Sequence, residues 1–158
     1  MTEKDEYFMR RAIALAQKGI DSNSGGPFGA VIVREGEIVG EGCNSVTTTN
    51  DPTAHAEIVA IRRACEKLNS FQLDRCVIYT SCEPCPMCLG AIYWARPAHV
   101  FFACTRLDAA NIGFDDHFIY DEIELPIEER RIKSVNFLRD AGLTVFENWA
   151  SKQDKTEY

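Results

Sequence analysis

Two short segments, His55-Ala-Glu57 and Pro84-Cys-Pro-Met-Cys88, constrain this chain more than anything else in it. One imidazole and two thiols are metal donors, and they act together only if the fold carries them to one point. Three protein donors leave a zinc ion with an open fourth position for water, which marks a catalytic site and not a closed structural one. The region near residue 55 must therefore meet the region near residue 85. The apolar patterning indicates how. Residues 5–18 read as an amphipathic helix through Phe8, Ala12, Ile13, Leu15 and Ala16, ended by Gly19. Residues 29–33 and 38–43 flank Arg34-Glu-Gly-Glu37, a hairpin signal. A helix is expected over 52–68 and another over 86–95. Cys76-Val-Ile-Tyr-Thr80 is a short apolar strand of the kind buried on both faces, and His99-Val-Phe-Phe-Ala103 is the next. Residues 105–130 read as loop and short helix, 132–138 as a last strand and 141–152 as a last helix.

A hairpin followed by strand–helix–strand units, with a helix at each end, predicts an α/β fold. The expected architecture is a three-layer α/β/α sandwich around a five-stranded mixed central sheet. Right-handed crossovers put both motif helices on one side of it. Their starts then face each other near the carboxyl ends of strands, where open α/β sheets place ligands.

The chain has 158 residues, enough for one domain, of which 46% are hydrophobic and 26% charged. Its net charge of −7 disfavours phosphate-backbone binding, so no nucleic-acid partner is expected. No apolar run is long enough to cross a membrane. Seven cysteines, an odd count behind a charged N-terminus with no apolar leader, point to a reducing compartment and a cytoplasmic protein.

Each motif helix is expected to open on a proline, Pro52 and Pro86, where the lost N–H has no partner anyway. That puts His55 in the first turn of one helix, and Cys85 and Cys88 on one face at the start of the other. Helix N-termini favour thiolates. Glu57 is two residues from His55 and does not share its face, so it is free to act on the water as a proton carrier. Cys82 forms a second C-x-x-C with Cys85, but Pro84 pushes Glu83 to extended backbone. Cys82 is therefore expected at the end of its strand, near the metal and not on it. The other readings are a closed zinc site, a pair of buried cysteines or a thioredoxin-like redox motif. The last leaves His55 and Glu57 unexplained.

The H-x-E and P-C-x-x-C pair is the pattern of zinc-dependent nucleobase deaminases, and the chain resembles the cytidine deaminase-like superfamily. Within it, the chain is similar to the bacterial guanine deaminases. The likeness runs through Gly26-Pro-Phe-Gly-Ala-Val-Ile-Val33, Asn50-Asp-Pro-Thr-Ala-His-Ala-Glu57 and Thr80-Ser-Cys-Glu-Pro-Cys-Pro-Met-Cys-Leu-Gly-Ala-Ile-Tyr-Trp-Ala-Arg-Pro97. It continues in Asp108-Ala-Ala, Gly113-Phe-Asp-Asp-His-Phe-Ile-Tyr120 and the terminal Glu157-Tyr158. The resemblance implies hydrolysis of guanine, a small purine base, to xanthine and ammonia, with one Zn2+ per subunit and zinc-bound hydroxide attacking C2. It implies His55, Cys85 and Cys88 as ligands, Glu57 as proton shuttle and Asp116 as a second catalytic carboxylate that contacts the base. It also implies substrate contacts from Phe28, Asn44, the Ala56 backbone, Trp94 and Tyr158. It further implies a homodimer whose C-terminal segment, about 140–158, is exchanged between subunits over the site.

By themselves several of these residues have a second reading. Asn44 also suits a turn organiser, Asp115 and Asp116 also suit a helix cap, Phe28 and Trp94 suit a core, and Tyr158 suits a free tail. Competing functions are a tRNA adenosine deaminase, another base or nucleoside deaminase, and a silent zinc-binding dimer module. The acidic charge stands against the first. The intact Glu57, which zinc binding does not need, stands against the last.

Overall fold

In the computed structural model, which describes residues 1–158, helix α1 (Glu3–Asp21) begins at a capping box. The Thr2 hydroxyl accepts from the Asp5 N–H while the Asp5 carboxylate accepts from the Thr2 N–H, which closes the first turn from both sides. Phe8, Ala12, Leu15 and Ala16 form one buried stripe. The helix runs through Gly19, where the sequence suggests its end. It stops only at Ser22, whose N–H and hydroxyl both bond the Lys18 carbonyl.

Strands β1 (Gly29–Arg34) and β2 (Glu37–Cys43) form the expected antiparallel hairpin. Both loop residues, Glu35 and Gly36, have positive φ, at 53° and 84°. That two-residue turn matches the twist of the strands it joins. A short helix α2 (Val46–Thr49) follows, then α3 (Ala56–Leu68), β3 (Cys76–Cys82), α4 (Pro86–Ala95) and β4 (His99–Cys104). The sheet order is β2-β1-β3-β4, with β1 antiparallel and β4 parallel to β3. β3 is therefore central, and its largely uninterrupted apolar run is buried as its sequence suggests.

Alternate residues divide the sheet's two faces. Ala30, Ile32 and Ile78 pack with Ala56, Ala60 and Ala64 of α3 and with Ile92 and Ala95 of α4. Val31, Val33 and Tyr79 pack on the other face with Phe8, Ala12 and Leu15 of α1. Both motif helices thus share one side, opposite α1, and the three layers are as expected.

The sheet has four strands, however, and not the five expected. Residues 132–137 form no strand. Leu138, just beyond them, takes a left-handed conformation at φ 55°, costly for a side chain of its size, and the chain turns there into α7 (Arg139–Ser151). Apolar alternation shows that a segment suits a sheet, but a strand forms only where a ladder partner is present.

By their internal contacts the residues fall into two compact units, Met1–Asp116 and His117–Tyr158. The first closes with α5 (Arg106–Asn111), which begins at a second capping box between Thr105 and Asp108. The second holds α6 (His117–Glu124), a 3-10 turn at Ile127–Glu129, and α7. Inside it the Arg130 guanidinium donates to the Ile123 and Leu125 carbonyls, both at 3.1 Å, and ties the end of α6 to the following turn. None of its residues is buried. Ile132, Val135 and Phe137 are 81%, 84% and 81% exposed.

Candidate metal centre and active site

Helix α3 starts at Ala56, four residues later than Pro52 suggests. The Asp51 carboxylate accepts from both the N–H and the hydroxyl of Thr53, and the Ala54 N–H bonds the Asp51 carbonyl. These bonds hold 51–54 in a turn. His55 is therefore the residue that precedes the helix, with extended backbone, and does not lie in its first turn. Gly42 of β2 seats this helix start, because a Cβ there would lie 2.2 Å from the Ala56 carbonyl oxygen. Helix α4 starts at Pro86 as expected, which makes Cys85 its N-cap.

Two helices thus begin on a metal-donor residue. Neither His55 nor Cys85 makes a side-chain capping bond, although the position favours Ser, Thr, Asp or Asn. Their side chains turn to each other instead. His55 Nδ1 lies 3.5 Å from Cys85 Sγ and 3.5 Å from Cys88 Sγ. The three donor atoms all lie within 4.8 Å of one another. Usual Zn–N and Zn–S bond lengths at tetrahedral angles place N and S about 3.6 Å apart. Both nitrogen–sulfur distances match that spacing, and the donor set suits zinc. Cys82 ends β3, is buried and stands outside this set, as expected.

The protons on these groups are unevenly held. A hydrogen bond from Cys88 brings the Cys85 thiol down to about 4, with help from His55 and against burial. The same bond, with burial, pushes Cys88 up. The Cys85 sulfur raises His55 despite the burial of the ring, and the charges of Glu57 and Asp116 add to the effect. Glu57 is itself buried, and desolvation raises its carboxyl. Burial raises Asp116 as well, followed by the charge on Cys85. Two carboxyls raised by burial, beside one donor cluster, are candidates for proton transfer.

Asn44 is buried, and its Oδ1 accepts from the Gly26 and Val46 N–H groups, both at 3.3 Å. With the oxygen so used, the amide NH2 is oriented to donate elsewhere. The Asn44 N–H bonds the Phe28 carbonyl at 3.0 Å, which sets these two candidates side by side. Ala56 is fully buried at the start of α3. Trp94 is not gathered with the donors. It stands near the far end of α4, about 13 Å from Cys85 by helical rise, and is 65% exposed. Tyr158 belongs to the second unit and is 71% exposed.

Sequence reasoning passes over two residues here. Glu83 stitches the metal loop to the start of α5: its N–H donates to the Cys104 carbonyl and its carboxylate accepts from the Arg106 N–H. Phe114 meets Phe28 edge to face, with ring centroids 4.9 Å apart at 89°. The one local signal for Phe114 is Gly113, whose φ of 91° breaks the chain out of α5 just before it.

Known proteins share this arrangement. Residues 2–104 match the family model of the cytidine and deoxycytidylate deaminase zinc-binding region. The chain is 57% identical to a guanine deaminase of Bacillus subtilis, over 97% of this chain and 98% of that one. An X-ray structure of guanine deaminase from Bacillus subtilis superposes with a TM-score of 0.96 at 56% identity, covering 100% of this chain and 99% of that one. A tRNA-specific adenosine deaminase of Aquifex aeolicus is 38% identical over 81% of this chain and 82% of its own. Donors spaced for zinc lie inside a region that the family model spans, and the likeness to the Bacillus enzyme continues to both ends, so the chain belongs to the guanine deaminase branch of the cytidine and deoxycytidylate deaminase family of zinc enzymes.

Proposed function

We propose that this chain hydrolyses guanine to xanthine and ammonia at the His55–Cys85–Cys88 centre. The observation that carries the reading is Glu57, a buried carboxyl that adjoins the three donors without being one of them. Zinc held by one imidazole and two thiolates supplies, when bound, a water acidified from about 15.7 to about 7. In the overall reaction water adds its oxygen at C2 and the C2–NH2 bond breaks. Glu57 takes the proton that the water gives up and passes it to a ring nitrogen, then takes the second proton from the new C2 hydroxyl and hands it to the departing amine. The Asn44 NH2 donates to an acceptor on the purine, and the Ala56 N–H, at a helix start, donates into the same space. Phe28 packs against the ring. Asp116 accepts from the base and helps move protons across it.

The assembly proposed is a homodimer with the C-terminal segment, about 140–158, exchanged within one deaminase domain per subunit. Three observations support it. The apolar residues of the second unit are exposed in the single chain. β4 is an unpaired edge, which proteins rarely leave open. A groove of about 650 Å3 on the α1 face carries apolar Met9, Ile13, Phe101 and Phe102. Trp94 and Tyr158, exposed in the single chain, would reach substrate through that dimer. The reducing cytoplasm is the proposed compartment, consistent with free thiols at all seven cysteines. No helix is long and apolar enough to cross a membrane.

Ammonia release from guanine, adenine, cytosine, guanosine, cytidine and ammeline tests the activity. Release from guanine that a chelator abolishes is expected. The 38% likeness to a tRNA-specific adenosine deaminase gives the second reading. Turnover of a tRNA anticodon stem, with none of free guanine, would establish it instead.

A further inference from the structure

We infer that Phe114 is a positioning residue for Asp116, and that the glycine at 26 is the seat that lets it dock. This rests on the proposed role of Asp116 and extends it to two residues that touch neither metal nor proton.

The Gly113 N–H bonds the Ala110 carbonyl and the Phe114 N–H bonds the Ala109 carbonyl, both at 3.0 Å, and these hold the start of the segment after α5. The Phe114 ring then anchors it across the site, set edge-on against Phe28. Edge-to-face pairs at this distance add about 0.5–1.5 kcal/mol beyond their buried area. Phe28 is a rigid anchor, one residue before β1 and bonded through its carbonyl to Asn44.

The ring also needs room underneath. A Cβ on Gly26 would lie 2.9 Å from Phe114 Cζ and 3.1 Å from Phe28 Cε2. The neighbouring Gly25 is kept bare for a matching reason, since a Cβ there would lie 2.3 Å from Asn44 Oδ1. The two glycines thus let two elements close on the site at once, the Asn44 carboxamide over Gly25 and the Phe114 ring over Gly26. Asp116 is two residues beyond that ring. A carboxylate delivered by a loop is only as well placed as the loop's anchors, and the Phe114 ring, docked on Phe28 over Gly26, is one of them.

The test is a double-mutant cycle on the zinc-loaded enzyme, read as kcat and KM for guanine. Zinc content and Tm are measured on every variant. Phe114→Ala is expected to lower kcat about 10- to 100-fold, the usual effect of a misplaced catalytic group, with zinc content and Tm retained and KM moved less than kcat. Gly26→Ala, which keeps phenylalanine at 114 but takes the room its ring occupies, should lower kcat in the same way. In the Asp116→Asn background, Phe114→Ala should cost less than about twofold more, because residues that act as a unit are not additive. A slow Asp116→Asn combined with a fully multiplicative loss from Phe114→Ala would overturn the positioning role alone, as would wild-type kcat in both Phe114→Ala and Gly26→Ala. Wild-type kcat in Asp116→Asn would overturn the role of Asp116 itself, and the inference with it.

Discussion

Residues 1–116 and 117–158 are written in the same apolar alphabet and fare in opposite ways. In the first unit Val31, Ile32 and Ile78 are fully buried between helices, and the donors, Glu57, Asn44 and Asp116 all ride on that frame. In the second unit Ile132, Val135 and Phe137 are more than four-fifths exposed. Burial of one such side chain contributes about 1.5–3 kcal/mol. The exposed ones contribute none of it in the single chain. The donors lie in the first unit and the exposed apolar surface in the second, and the roles proposed for them, chemistry and assembly, can each be tested.

The largest effect should follow from the first unit. Cys88→Ala should abolish zinc retention and turnover together, with zinc measured by elemental analysis after gel filtration. Glu57→Gln should keep zinc and lose about 100- to 10,000-fold in kcat. A metal-free Glu57→Gln protein would return that residue to the ligand shell and blur the division of labour. Phe146→Asp in the second unit should come next. It removes one apolar contact per subunit from the proposed dimer and buries a charge, so the dimer Kd, measured by sedimentation, should rise by at least about a hundredfold. Zinc content should be unchanged. A variant that stays dimeric at wild-type affinity would show α7 to be a solvated tail.

The smallest effect belongs to the frame on the far face of the sheet. The Tyr79 hydroxyl donates to Asp5 Oδ1 at 2.6 Å. The bond holds the Asp5 carboxyl below its ordinary value, and burial first and then Asp5 push the Tyr79 hydroxyl up. A depressed carboxylate contributes stability above its unfolded pKa and loses it as pH falls through the folded value. A raised phenol favours the fold below the ordinary tyrosine range and loses that advantage as pH rises beyond it. Tyr79→Phe should therefore lower the urea midpoint modestly at pH 7. The gap should narrow at pH 3 and again above pH 10. A pH-independent gap would mean that the hydroxyl acts through packing alone.

The metal donors were legible in the sequence because their chemistry is carried by residue type, and any fold that uses them must gather them. The hairpin and central strand were legible because their signals are local. The start of α3 was not: Pro52 suits a first helical position, but the Asp51 side chain prefers Thr53 and postpones the helix to Ala56. The fifth strand failed for a different reason. Residues 132–138 have an apolar pattern suited to a sheet, and a pattern does not specify which chain supplies the ladder. Phe114 escaped notice because its partner, Phe28, is far away in sequence and an aromatic ring bears no mark of what it will lean on.

His55 and Cys85 occupy places where other helices carry a serine or an aspartate, and this joins two properties that proteins usually keep apart. A serine cap has no proton to exchange near neutral pH and no metal to lose. These two exchange protons and ligands, so a chelator or a drop in pH acts on the first turns of α3 and α4 as well as on catalysis. Metal affinity is thereby coupled to the order of two helix starts, because the ligands must shed protons to bind and the same residues begin the helices.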